Sequence, residues 1–261
     1  MSSAAGCDHH LPVDTRIAEL LELGRELGRE DRTLAILGEG NISAKLNDTQ
    51  FAIKASGCAL ATLTERDITV CDTARVLTIL KQTNPADEWI ETELLAARVD
   101  SNSKKPSLEA MFHAALLAFP GVQFVAHCHP LNVNRVLCSS RAQEFAGYRL
   151  FPDHVVYCGA RSVFVPYADP GLPLALEVAK RTTQLRDETG VVPKLILLEN
   201  HGTIAPGSTM QGALACTLMA EKAAAIFVGA AAIDEPKFLT AKEAERIATR
   251  KDEAHRRRQL E

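Results

Sequence analysis

The sequence predicts an α/β fold, and three observations carry that expectation. Short apolar runs of strand length, bounded by Gly, Pro, Asn or Asp, alternate with longer stretches of helical apolar spacing. The 261 residues suit one large α/β domain. At 46% hydrophobic, the chain can fill a sizeable core without disulfide staples.

The elements follow in order. Residues 1–14 are small and polar, lack the apolar core of a signal segment, and read as a flexible tail holding His9 and His10. Asp14 or Thr15 caps a first helix, with Ile17, Leu20, Leu21, Leu23 and Leu27 at helical spacing up to Gly28. The apolar run 34–37 reads as a strand end leading into Gly38-Glu39-Gly40-Asn41-Ile42-Ser43. Two glycines there let backbone N–H groups approach a ligand, which favours an anion. Residues 42–46 and 51–54 read as a hairpin about Asn47-Asp48, delivering Lys54-Ala55-Ser56-Gly57 beside the glycine loop. Thr64 and Asp67 suit a helix start, 68–71 a strand, and Val76, Leu77 and Leu80 an edge strand. Residues 91–99 read as a short helix with Leu94, Leu95 and Val99 inward.

Ser107 suits the N-cap of the next helix, which runs to Pro120-Gly121 and sets Glu109 in its first turn, with His113 on the same face. Residues 131–137 read as a helix, 145–152 as a loop, and 155–157 and 163–167 as strands. Residues 172–185 and the alanine-rich 210–229 read as helices, and 242–261 as a charged, solvated helix. With no internal repeat and no low-complexity linker, the expectation is one domain over 1–261.

Composition excludes several classes of function. A formal net charge of -4 leaves no basic footprint for nucleic acid and no polybasic patch for a membrane surface. No apolar run reads as long enough to span a bilayer. Seven scattered cysteines form no Cys-x-x-Cys pair, so neither a zinc ribbon nor a disulfide framework is indicated, and a reducing cytoplasm is the simpler expectation. Gly-x-Gly-x-x-Gly, Gly-Lys-Ser/Thr and His-Glu-x-x-His patterns are absent, which argues against dinucleotide, P-loop and zinc-hydrolase chemistry.

The chemistry-bearing residues sit at two strand ends. Val122-Gln-Phe-Val-Ala-His127-Cys-His129-Pro130 is an apolar run closed by two histidines. Side chains alternate along a strand, so His127 and His129 point one way and Cys128 the other. A second apolar strand, 195–198, runs into Asn200-His201-Gly202. A lone strand-end histidine is usually a packing residue. Three from two strands suit one divalent ion, with positions left for water or substrate.

Taken in order, five motifs resemble the class II aldolase/adducin family over residues 17–228, nearly the whole chain. They are Gly38-Glu39-Gly40-Asn41-Ile42-Ser43, Lys54-Ala55-Ser56-Gly57, Pro106-Ser107-Leu108-Glu109 with His113, Ala126-His127-Cys128-His129-Pro130, and Asn200-His201-Gly202. The resemblance implies a three-layer α/β/α fold around a central, largely antiparallel sheet. It implies His127, His129 and His201 as ligands of Zn2+ or of another divalent ion such as Mn2+ or Co2+, and Glu109 as the acid/base carboxylate. Gly38, Asn41, Ser56, Gly57 and Ser107 match positions lining a phosphate pocket, and Lys54 lies beside them. It further implies a small-molecule substrate and a homotetramer with sites at subunit interfaces. The chain departs from the pattern at Leu108, where aldolases carry a second hydroxyl residue, and at Glu39, where they carry a neutral one. Retro-aldol cleavage of a sugar phosphate or related hydroxy-carbonyl compound, through a metal-stabilised enediolate, is the favoured expectation. Epimerisation or decarboxylation at the same site, or a non-catalytic adducin-like scaffold, are the alternatives.

Overall fold

The computed structural model of the chain describes residues 13–250. Seven strands form one sheet in the order β3-β2-β1-β4-β7-β6-β5. They are β1 (Asn41–Lys45), β2 (Gln50–Lys54), β3 (Ile68–Asp72), β4 (Phe124–Cys128), β5 (Val163–Val165), β6 (Ile196–Leu198) and β7 (Gly202–Gly207). Every neighbouring pair is antiparallel except β5 with β6, so the sheet is largely antiparallel, as expected.

Helices cover both faces and make three layers. Helices α1 (Val13–Leu27), α5 (Leu131–Leu137), α6 (Ala142–Gly147) and α9 (Met210–Ile233) share one core with Ile42, Ala44, Phe124, Ala126 and Cys128. Helices α2 (Thr73–Ile79), α3 (Asp87–Ala96), α4 (Ala110–Leu117) and α8 (Leu172–Thr189) share the other with Phe51, Ile53, Val125 and Ile204. Alternation along β4 thus sends Phe124, Ala126 and Cys128 to the α9 side and Val125 to the α4 side. His127 has the parity of Val125, so it faces α4 and the residues that lead into it.

The β1–β2 hairpin, the strand at 68–71, the helices at 131–137 and 172–185, and the strands at 163–167 and 195–198 form within a residue or a few of their expected bounds. Other segments depart from expectation. Residues 34–37 are not a strand; they form a loop held beside β4, where Leu34 carbonyl accepts from His129 N at 3.0 Å. Val76 belongs to a helix, α2, because Asp72 caps it by accepting from Arg75 N at 2.8 Å. Val99 lies beyond the end of α3 and is exposed. Helix α4 starts at Ala110, so Glu109 precedes the helix, and Ser107 Oγ accepts from Glu109 N at 3.2 Å. The segment expected as a loop then a strand holds α6 and α7 (Pro152–Cys158). Pro152 pre-sets the first turn of α7, and packing against α9 overrides the β preference of Val155 and Val156. Strand β7 was not expected, since Gly202, Pro206 and Gly207 weaken its local signal.

Helix α10 (Ala241–Thr249) is not wholly solvated, because Ala244 and Ile247 pack on Val155 and Val156. Helix α9, 24 residues long with an 18-residue window of mean hydropathy 1.6, is long and apolar enough by length and composition to cross a bilayer, contrary to the sequence expectation. Here it packs against β7, β4, α1, α5 and α7, and its Glu221 accepts from the N–H groups of Asn132 and Val133 at the start of α5. Val13 and Asp14 begin α1. The rest of the expected tail, with His9 and His10, and the charged segment 251–261 lie outside the described residues.

Two buried polar side chains tie the α6–α7 region. Arg149 donates to the carbonyls of Gly159 (2.7 Å), Tyr148 (2.9 Å) and Ala146 (3.2 Å) and to Ser162 Oγ (2.8 Å). It therefore caps the C-terminal end of α6, where carbonyls and helix dipole favour a cation. His154 is fully buried between Phe145 and Phe151, and neither ring nitrogen finds a protein partner among the described residues. Burial, helped by Arg149, holds His154 neutral well below the usual imidazole range. A histidine held neutral when folded takes up a proton on unfolding below its ordinary pKa near 6.5. Stability should therefore fall as pH drops below that value, by up to about 1.4 kcal/mol per pH unit for this proton. His154→Leu should flatten the acid limb measured by urea unfolding at pH 7.5 and 5.5, and an unchanged limb would exclude this origin.

Candidate metal centre

Five strand termini meet at one end of the sheet: the C-terminal ends of β2, β4 and β6 and the N-terminal ends of β1 and β7. The conspicuous polar residues of the sequence collect there. The imidazole centroids of His127, His129 and His201 form a near-equilateral triangle with sides of 4.9, 4.9 and 5.0 Å. One ring nitrogen from each lies within 4.8 Å of the others. His127 and His129 converge as strand alternation requires, with their Nε2 atoms 3.1 Å apart.

Local structure explains the convergence. His127 is fully buried, and its Nδ1 donates to Thr203 carbonyl at 2.8 Å. A carbonyl can only accept, so Nδ1 carries a proton; Nε2 is the nitrogen that faces the cluster, protonated while it pairs with Glu109 and a ligand once that proton is lost. His201 stands in the tight β6–β7 turn, where Asn200 is left-handed (φ 55°) and His201 N donates to Leu198 carbonyl at 3.1 Å. Asn134 on α5 braces this turn by donating from Nδ2 to His201 carbonyl at 3.0 Å. Two glycines allow the close approach. A Cβ on Gly202 would collide with Cys128 carbonyl and come within 2.9 Å of the His129 ring, and one on Gly40 (φ 73°) within 2.8 Å of His127 carbonyl.

Glu109 reaches the same point from before α4. Its Oε1 lies 3.2 Å from His127 Nε2 and 3.7 Å from His201 Nε2. Burial alone would raise its pKa, but His127 overrides that and holds the carboxyl well below the usual range. For His127 burial opposes protonation, yet the facing Glu109 carries its pKa upward. Burial, with His127 alongside, pushes His129 and His201 down to about 4, so both are neutral at physiological pH, the form that binds a metal. His113 lies behind, fully buried on Phe112, with Nδ1 2.7 Å from Ser43 Oγ.

The donor set fits a divalent ion. Zinc–imidazole bonds of about 2.0–2.1 Å at tetrahedral angles place ligand nitrogens roughly 3.3–3.4 Å apart, close to the separation of the His127 and His129 Nε2 atoms. Three imidazoles leave an open position, as in catalytic rather than structural sites.

The remaining expected site residues gather at the rim. Asn41 pairs with His127 across β1–β4, and its Oδ1 accepts from Ile42 N at 3.0 Å. Gly38 packs against the backbone of Gly57, which needs its left-handed conformation (φ 76°). Ser56 N donates to Lys105 carbonyl at 2.9 Å, and the Ala55–Pro106 bridge brings this turn beside Ser107. Lys54 is buried, and its ammonium turns to the carbonyls of Cys58 (2.6 Å), Gly38 (3.4 Å) and Ala55 (3.5 Å), so it ties the two rim loops together. Sequence reasoning passed over Thr203, Asn134, Gly40 and Gly202 as supports of the site. Only the glycines left a signal, as neighbours of Asn41 and His201.

A family model for the class II aldolase and adducin N-terminal domain matches residues 18–228. The 3-oxo-tetronate 4-phosphate decarboxylase of Haemophilus influenzae is 27% identical over 210 residues, covering 79% of this chain and 85% of that protein. The uncharacterized oxidoreductase YuxG of Bacillus subtilis is 27% identical over 203 residues, 75% of this chain; the match spans only 27% of that longer protein. An L-fuculose 1-phosphate aldolase structure superposes with a TM-score of 0.67 at 20% identity, covering 92% of this chain and 97% of that one. The N-terminal class II aldolase domain of a Thermoplasma acidophilum protein superposes with a TM-score of 0.66 at 23% identity, over 87% and 97% of the two chains. These structures share the fold, and the family match embraces all five motifs around the histidine cluster: the chain belongs to the class II aldolase/adducin family.

Proposed function

We propose that the protein is a divalent-metal-dependent lyase that cleaves a hydroxy-carbonyl compound, a sugar phosphate or a relative of one, by retro-aldol chemistry. The observation that supports this most is the meeting of three imidazoles with one carboxylate that stands beside them. A non-catalytic scaffold has no use for that constellation. Held by His127, His129 and His201, a divalent ion would supply Lewis acidity to the substrate's carbonyl and adjacent hydroxyl and offset the charge that develops as the carbon–carbon bond breaks. Glu109 is the proton carrier: ionised in the resting site, its Oε1 first takes up a proton, gives it to the carbon of the severed bond in cleavage, and removes it from that carbon in the reverse direction. Thr203 keeps His127 in the required tautomer. Gly38, Asn41, Gly57, Ser107 and the Ser56 hydroxyl line the pocket for the far end of the substrate, with Lys54 holding the two rim loops in register. The working form is a single-domain chain assembled as a homotetramer in a reducing cytoplasm.

Decarboxylation of a 3-oxo acid is the second reading, favoured by the likeness to the Haemophilus influenzae decarboxylase. Both reactions leave an electron pair on carbon next to a carbonyl, so the same residues serve either. Parallel assays with hydroxy-carbonyl sugars, with and without phosphate, and with 3-oxo acids separate them by the product released.

Chelator treatment should abolish turnover, and Zn2+, Mn2+ or Co2+ should restore it; undiminished activity in stripped protein, checked by elemental analysis, would refute metal dependence. Glu109→Gln should keep bound metal but lower kcat by about 100- to 10,000-fold. Full turnover in that variant would remove Glu109 from the chemistry. His201→Ala should lose both metal and activity, and metal retained at wild-type stoichiometry would break the three-histidine assignment.

A further inference from the structure

His127 has an acceptor behind it in Thr203 carbonyl. The corresponding place behind His129 is occupied by Glu39, whose Oε1 lies 3.8 Å from His129 Nδ1. The other carboxylate oxygen, Oε2, accepts from Ile36 N at 3.0 Å. Glu39 N in turn donates to Ile36 carbonyl at 3.0 Å, closing a tight turn that aims the side chain. The same loop carries Leu34, whose carbonyl accepts from His129 N at 3.0 Å. One loop therefore holds both the backbone of His129 and the carboxylate beside its ring. In the sequence, Glu39 reads as a negative charge intruding on an anion pocket. Its hydrogen bond from Ile36 N turns it back to its own loop, and the other carboxylate oxygen faces His129.

We propose that Glu39 is a positioning residue for the metal: it holds His129 in the ligating tautomer and orientation. The inference rests on reading the three histidines as the ligand set. An ionised carboxylate only accepts, so the imidazole nitrogen facing it carries the proton. The lone pair is then left on Nε2, which is the atom that meets His127 Nε2 at 3.1 Å. The present gap is longer than a hydrogen bond. The Glu39 side chain is 37% exposed, so rotation as the His129 ring settles on an ion can close it. A carboxylate behind a ligating imidazole also raises its basicity, and removing such a partner typically weakens metal binding about 10- to 100-fold.

The test is a competition titration of Co2+ or Zn2+ into the metal-stripped full-length protein, comparing wild type with Glu39→Gln. The amide oxygen of Gln can still accept from Ile36 N, so the loop should persist and the thermal unfolding of the metal-free protein should be unchanged. Its amide nitrogen cannot accept from His129. Affinity should drop about 10- to 100-fold, and affinity matching wild type would overturn the proposal. In a His129→Ala background, titrated at the higher ion concentrations that the two remaining histidines need, Glu39→Gln should change affinity by less than about 2-fold, because the coupled partner is gone. Equal weakening in both backgrounds would assign the effect to bulk charge and overturn the positioning role. Wild-type protein that binds neither ion would instead overturn the metal reading itself, whatever Glu39 does.

Discussion

The register of β4 between β1 and β7 is the constraint on which the site depends. Pairing Asn41 with His127 and His127 with Ile204 fixes which face each residue takes. A one-residue slip would turn Val125 and His127 toward α9 and Ala126 and Cys128 toward α4. The apolar alternation of β4, buried on both faces, resists that slip. Burial of the flanking apolar side chains thus specifies where the imidazole stands, and Glu109 meets it because α4 packs on the same face.

Close backbone approach is the second condition. Gly40 and Gly202 sit against the carbonyls of His127 and Cys128, and neither place admits a Cβ. The missing side chains let the β1 and β7 starts close on the end of β4, so that three rings reach one point. What the backbone leaves open is filled by directed polar contacts. Thr203 carbonyl sets the His127 tautomer, Asn134 anchors the His201 turn, and Lys54 ties the Gly38 loop to the 55–58 turn. Each of these three donors is matched to a carbonyl, as low-dielectric surroundings favour, whereas His113 Nε2 behind them has no partner among the described residues. A lysine spent on three carbonyls is a brace. Its charge reaches the site only as part of the local field, where it opposes protonation of His127 and His113.

The proposed carbon–carbon bond chemistry rests on where the carboxylate stands. The His-Glu-x-x-His motif of zinc hydrolases keeps its general base on a helix between two ligands. Here the carboxylate arrives from a separate segment, ahead of α4, and faces His127 and His201 together. Such a group can carry a proton to or from a carbon held near the ion without having to serve as a ligand. The neutral His129 and His201 leave the cluster ready for a cation, and Glu109 with Glu39 brings negative charge to balance one.

By itself the sequence determined the fold class, the alternation that sets His127 and His129 on one face, and the identity of the motif residues, because these follow from local periodicity and residue chemistry. It did not determine α7, where packing on α9 overrode the β preference of Val155 and Val156, nor β7, whose glycines and proline hide a central strand. It could not show that Glu39 faces His129 or that Lys54 is capped by carbonyls, since side-chain direction at a loop depends on hydrogen bonds made across the fold. The meeting of His201 with the other two histidines was a pattern in the sequence and a distance only in the tertiary structure, where 71 residues of intervening chain (130 to 200) fold back to bring β7 against β4.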